Sequence, residues 1–209
     1  MTGPRRPSKK SPPQVKPAAL RIIGGDYRRH KLLYNGDPAT RPMKDRTREA
    51  VFNLIGPSIV GKHAFDLFAG TGALGLEAIS RKAATATFIE RNIPTAKVIE
   101  DNVAALKLGH RCRVIRNDAF YWTKHELDMP PEPWAIFCSP PYSLYVSQLE
   151  SMVALLTGLL EVAPPDSLCV VEADERFDMT LLPHPEEWNI RTYRPAEVAL
   201  YRKPAVNVE

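Results

Sequence analysis

The stretch Asp66–Gly75, DLFAGTGALG, constrains this chain more than any other. A short apolar run that starts at His63-Ala64-Phe65 and ends at Phe68 leads into Gly70, Gly72 and Gly75. Apolar positions at Leu74, Leu76, Ala78 and Ile79 then follow with helical spacing. Strand, tight glycine turn, helix is the opening unit of a doubly wound α/β sheet. Gly70 and Gly72 suit a backbone of positive φ that approaches a ligand without a Cβ in the way. Gly75 lets the helix pack closely on the sheet. The spacing matches the dinucleotide fingerprint GxGxxG, which leaves a nucleotide-binding reading open. Asp66 argues for a different ligand. A carboxylate just ahead of the turn repels a pyrophosphate and suits a molecule with an ammonium and hydroxyls. S-adenosylmethionine (SAM) has both, and no phosphate.

The rest of the chain extends this unit. Residues 84–90 (ATATFIE) form an expected second strand, and 93–106 a helix stopped by Gly109. A third strand is expected at 112–116, a fourth at 134–138 (WAIFC) and a fifth at 167–172 (SLCVVE). WAIFC is apolar throughout, as a central strand buried on both faces should be. A helix is expected over 146–160, and strands at 190–193 and 197–201 close the sheet as a pair. The expected fold is thus a doubly wound, mostly parallel seven-stranded sheet with a small N-terminal extension.

Three segments are expected. Residues 1–19, rich in Pro, Lys, Arg and Ser, have too few apolar groups to offset their ordering entropy and form a disordered basic tail. Residues 20–56 are a hairpin and helix extension, and 57–204 the main domain. In the extension a β-hairpin is expected from Leu20 to Leu33, with Arg28 and Arg29 near its turn. Asp45 is placed to cap a helix with apolar positions Ala50, Val51, Leu54 and Ile55. Arg41, Lys44, Arg46 and Arg48 crowd the start of that helix, where cations oppose its dipole. Local stability does not account for them, and a polyanion contact does. The alternative is a set of exposed arginines paired with Asp45 and Glu49.

Charge points the same way. The net charge is +4, and in the first thirty-one positions only Asp26 faces nine Lys and Arg residues. Such an arm suits nucleic acid, or serves only solubility. Three scattered cysteines, Cys112, Cys138 and Cys169, fit buried thiols in a reducing cytoplasm better than a disulfide framework or a metal site. No stretch is apolar enough to span a bilayer, and the basic N-terminus lacks the apolar core of a secretory signal.

Four polar signals fall at four consecutive strand ends, where ligands sit in sheets of this kind. The first is Asp66 with its turn, including Phe68. The second is Glu90 with Arg91, about twenty residues beyond the turn, where an acid accepts ribose hydroxyls. The third is Asp118, placed to accept from an adenine amine or to form a turn, with Ile89, Ala119 and Phe120 as apolar walls. The fourth is Ser139-Pro140-Pro141-Tyr142. Its prolines offer carbonyls and no amide donors, and Tyr142 offers a face for a base turned out of its stack. Acceptors on an exocyclic amine would aim its nitrogen at a methyl donor.

At these residues the chain resembles SAM-dependent methyltransferases acting on exocyclic amines, whose tetrad is usually (Asp/Asn)-Pro-Pro-(Phe/Tyr). More narrowly, RIIGG at 21–25, RPMKDRTREAVFNLI at 41–55 and DLFAGTGALGLEAISR at 66–81 are similar in wording and order to the RsmD family. The resemblance spans about 20–203. It implies methylation of guanine N2 in bacterial 16S ribosomal RNA, SAM as the cofactor, and RNA or an assembling small subunit as partner. It also implies roles near the cofactor and RNA entrance for Arg41, Asp45, Arg46 and Glu49. A cytoplasmic monomer is expected. Ser139 stands where the family usually has Asp or Asn, so its hydroxyl is expected to accept one amine hydrogen while the Pro140 carbonyl accepts the other. Three alternatives stay open: an amino-methyltransferase on another base or on DNA, a catalytically weak RNA-binding protein with the same fold, and a nucleotide-dependent oxidoreductase.

Overall fold

The computed structural model describes residues 20–36 and 42–205; the expectations for the tail 1–19 and for Arg41 lie outside them. The apolar run Trp134–Cys138 forms a strand, β4, buried along its whole length. It pairs in parallel with β1 (His63–Asp66) on one side and β5 (Leu168–Asp174) on the other. Beyond β1 lie β2 (Thr85–Ile89) and β3 (Cys112–Ile115), also parallel. Beyond β5 comes an antiparallel pair, β6 (Asn189–Tyr193) and β7 (Ala196–Arg202), with β7 next to β5. The strand order β3-β2-β1-β4-β5-β7-β6 reverses between β1 and β4, so the switch point falls beside the glycine turn. This is the expected seven-stranded, mostly parallel sheet.

Alternate residues of β4 serve opposite faces, as the pleat requires. Ala135 and Phe137 join one core with helices α1 (Asp45–Ile55), α2 (Ala73–Ser80) and α3 (Ile93–Ala105). Trp134, Ile136 and Cys138 join the other, with α4 (Ala119–His125), α5 (Ser143–Ser147) and α6 (Leu149–Val162). Gly75 shows why α2 lies so close to the sheet: a Cβ there would sit 2.3 Å from Cε1 of Phe88 in β2. Among the described residues no helix is long and apolar enough to cross a membrane.

The structure refines four local expectations. The N-terminal arm doubles back as a short hairpin without a regular ladder: around one bridge, Arg21 with Lys31, the Leu32 amide donates to the Leu20 carbonyl at 2.8 Å, the Ile22 amide to the His30 carbonyl at 3.0 Å and the Arg29 amide to the Ile22 carbonyl at 2.8 Å. Other backbone donors of the arm go to α2. The amides of Ile23 and Gly24 donate to the Glu77 carboxylate at 2.7 and 2.8 Å, and that of Tyr27 to Ser80 Oγ at 2.9 Å. Asp45 does not cap α1. It is the first helical residue, and Lys44 occupies the cap position without a side-chain bond. The helix expected over 146–160 is two helices, α5 and α6, separated at Gln148, whose φ of −139° leaves the helical region. The segment after β3 is helical: Asp118 accepts from the amides of Phe120 and Tyr121 and so caps α4.

Candidate active site

The carboxyl ends of β1, β2, β3, β4 and β5 open into one cavity of about 540 Å³. Its lining includes all four expected strand-end signals, and the architecture brings them together for the reason given by the topology.

At β1, the turn takes the left-handed conformation expected, with φ of +52° at Gly70 and +74° at Gly72. Asp66 ends the strand almost wholly enclosed, and its Oδ2 accepts from the Gly75 amide at 3.0 Å. The side chain therefore reaches under the turn to fasten the first residues of α2 while still bordering the cavity. Burial pushes its carboxyl up to about 7; the Gly75 amide pulls it down, and the nearby Glu90 charge adds to the rise. This gives a sign for stability. The unfolded chain releases that proton near the ordinary 3.8, and the folded chain holds it up to about 7. Stability contributed by the neutral group is complete below about pH 4 and is lost as pH rises toward 7. Asp66→Asn should therefore be more stable than the parent at pH 8, by about 2–4 kcal/mol, with the gap closing toward pH 4. Denaturant midpoints at the two pH values check this, and a gap independent of pH would contradict it.

After β2, Glu90 is engaged at both oxygens. The Gly70 amide donates to Oε2 at 2.9 Å and the Asn92 amide to Oε1 at 2.7 Å. The carboxylate thus ties the glycine turn to the start of α3. A carboxylate oxygen accepts twice, so each retains a lone pair for a hydroxyl of a ligand. Arg91 is exposed at the rim. After β3, Asp118 uses Oδ1 to cap α4, and Oδ2 makes no hydrogen bond among the described residues. Ile89 and Ala119 are buried at the wall, and the Phe68 ring meets Phe120 edge-on at 5.9 Å.

After β4, Pro140 is buried and Ser139 and Tyr142 are half-buried. Both hydroxyls turn to a residue that sequence reasoning passed over. Tyr142 donates to Glu172 Oε1 at 2.9 Å, and Ser139 donates to Glu172 Oε2. Glu172 lies in β5, 6% exposed, and lines the cavity. Burial pushes its carboxyl up, while the two hydroxyl donors favour its ionised form and pull it back. The Ser139 proton is directed at Glu172, and the hydroxyl oxygen keeps lone pairs that can accept from a ligand amine.

The basic residues separate into three groups. Lys44 and Arg46 are exposed, and Lys44 borders the cavity beside Met43 and Thr47. Arg28 and Arg29 are exposed where the arm meets the C-terminal end of α2, away from the cavity lining. Arg48 is the correction. It is 0% exposed and cannot touch RNA. Its Nη2 donates to the Arg21 carbonyl at 2.6 Å and to Asp45 Oδ1 at 3.0 Å, and its Nε lies 3.9 Å from Glu77. Asp45 meets Arg21 and Arg48, so it joins the arm to α1.

Comparison with known proteins adds the lineage. The model of a family described as Conserved hypothetical protein 95 matches residues 20–202. A relative from Escherichia coli K12, named Ribosomal RNA small subunit methyltransferase D, is 34% identical over 92% of this chain and 93% of its own length. The chain belongs to this RsmD family. A Haemophilus influenzae relative of the same name is 29% identical over 88% of this chain and 92% of its own. Among solved structures, the E. coli methyltransferase yhhF covers 90% of this chain and 99% of its own at 33% identity, with a TM-score of 0.72. Within the RsmD family frame, the glycine turn and the SPPY tetrad of this chain occupy one cavity, at adjacent strands of the switch point.

Proposed function

We propose that this chain transfers a methyl group from SAM to the exocyclic N2 amine of a guanine in 16S ribosomal RNA. The carrying observation is the single cavity that holds both the glycine turn and the SPPY tetrad. The relatives' printed name supports small-subunit rRNA as the substrate. The assembling subunit is the expected form of that substrate, and the cytoplasm the expected place.

The residues present fit the cofactor. Glu90 would accept the ribose hydroxyls on its remaining lone pairs, and Asp118 Oδ2 would accept from the adenine amine. Phe68, Ile89 and Ala119 would flank the ring, and Asp66 at the cavity floor would face the ammonium. Bound there, SAM supplies an electrophilic methyl group on a sulfonium. The chain's task is then orientation. The Pro140 carbonyl accepts an amine hydrogen, and Tyr142 presents its ring to the base. Alignment of this kind is worth up to roughly 7–11 kcal/mol in favourable cases. Lys44 and Arg91 at the rim, with the exposed Arg46 close by in α1, would supply positive charge for RNA phosphates.

Mass spectrometry of nucleosides from 16S rRNA, with and without the gene, tests this. Loss of one N2-methylguanine and its return on complementation is the expected result. Unchanged N2-methylguanine with loss of a different methylated nucleoside would reject the guanine N2 assignment.

A further inference from the structure

Taking the proposed guanine-N2 transfer as its basis, we infer that Glu172 of β5 is the carboxylate of the amine site, and that Ser139 and Tyr142 orient it. Position 139 lacks the usual acid, yet the cavity does not lack one. The parallel register that pairs Cys138 with Val171 places the next residues, Ser139 just past β4 and Glu172 near the end of β5, side by side. The neighbouring strand β5 brings a carboxylate to position 139.

The geometry supports a working group over a passive one. A buried carboxylate needs donors, and here the described donors are the two hydroxyls of the SPPY tetrad itself, one to each oxygen. Both hydroxyls are exchangeable donors that leave each carboxylate oxygen with acceptor capacity. No ion pair neutralises Glu172 among the described residues. Arg176 lines the same cavity but is bound to Asp174 at 2.7 Å. Other ionisable groups that line the cavity include Lys44 ahead of α1, Asp66 at the end of β1 and Tyr193 of β6, and the buried Tyr145 hydroxyl of α5 sits 3.8 Å from Cys138 Sγ. Glu172 is left as an acceptor lining the same cavity as Pro140.

Glu172 and the Pro140 carbonyl each accept one hydrogen of the N2 amine, which turns the nitrogen lone pair toward the methyl group. That lone pair forms the new N–C bond while the C–S bond breaks with its electron pair going to sulfur. The nitrogen then carries one proton too many, and Glu172 takes it and later returns it to water. Ser139 and Tyr142 are positioning residues. By donating to Glu172 they hold its rotamer and favour its ionised form.

The test uses full-length protein and the small-subunit rRNA fragment that the parent methylates. Glu172→Gln should slow single-turnover transfer about 100-fold or more and leave SAM affinity within about twofold. Ser139→Ala should keep most of the rate at high pH and shift the acidic limb of the pH–rate profile upward, because Glu172 loses a donor to its ionised form. A binding readout needs no turnover. With the demethylated product of SAM present, the parent should bind the fragment about tenfold better than one carrying inosine, which lacks the N2 amine, at the target position. Glu172→Gln should lose that preference. Glu172→Gln with parental rate, parental pH profile and parental guanine preference overturns the inference while leaving the proposed function standing. A folded parent that makes no N2-methylguanine overturns both. Should Glu172→Gln fail to fold, the pH limb of Ser139→Ala decides: an unmoved limb rejects the role.

Discussion

Replacing Arg48 by alanine should lower stability by about 3–5 kcal/mol, the usual result of breaking a buried charge pair from one side. For a chain of this length that is a fall of roughly 6–20 °C in Tm. The guanidinium is fully enclosed and joins two pieces of chain: the N-terminal arm, through the Arg21 carbonyl, and the start of α1, through the Met43 carbonyl and Asp45. Removal leaves those acceptors without their donor and opens a void beside Glu77. The arrangement is imperfect. Arg48 Nε finds no hydrogen-bond partner, and burial lowers the pKa of the guanidinium. Arg48→Met, which refills the volume, should therefore cost clearly less than Arg48→Ala. Lys44→Ala and Arg46→Ala should behave in the opposite way, leaving the unfolding midpoint in place and flattening the log–log salt dependence of RNA binding by roughly 0.7–0.9 for each phosphate no longer neutralised. Urea unfolding and RNA titrations across salt separate the two classes. An Arg48→Ala protein that unfolds at the parental midpoint and binds RNA weakly would mean that the side chain faces the RNA after all.

Arg48 also shows what the sequence held and why charge concealed it. Positions 48, 51, 52 and 55 share one helical stripe, and three of them are Val51, Phe52 and Ile55. Periodicity alone puts Arg48 on the buried face; grouping it with neighbouring cations by charge hides that. Asp118 is a similar case. An aspartate ahead of AFYWTKH is a cap signal, and the search for a ligand acceptor draws attention from the helix it begins. The glycine turn was legible because its constraints are local: positive φ at Gly70 and Gly72, and close packing at Gly75 against Phe88 in the next strand. Glu172 was not legible in that way. It ends SLCVVE as Glu90 ends ATATFIE, so its place at a strand end was visible. Its partnership with Ser139 spans 33 residues and depends on β4 and β5 being neighbours in a given register. No spacing in the chain encodes that pairing before the sheet order is known.

Glu90→Ala should weaken binding of SAM by about 3–6 kcal/mol, which is on the order of a hundredfold to ten-thousandfold in Kd. The figure rests on the two proposed hydrogen bonds from ribose hydroxyls to a charged acceptor, each worth about 1.5–3 kcal/mol. A second effect acts in the same direction. Glu90 holds the Gly70 amide at 2.9 Å and the Asn92 amide at 2.7 Å, so its loss also releases the turn that shapes the cavity. Glu90→Gln separates the two contributions. Glutamine keeps one acceptor oxygen but turns an NH₂ group toward one of those two amide donors, so it retains half of the staple and no charge. Its affinity should fall between parent and alanine. The demethylated product should lose as much as SAM does, since both carry the same ribose; a loss confined to SAM would instead locate Glu90 near the sulfonium. RNA affinity measured without cofactor should stay unchanged, because Glu90 lies at the cavity wall and the exposed cations Lys44 and Arg46 are untouched. Calorimetry of the three proteins with both molecules decides. Parental affinity in Glu90→Ala would reduce the residue to a fastener of the turn and move ribose recognition elsewhere in the cavity.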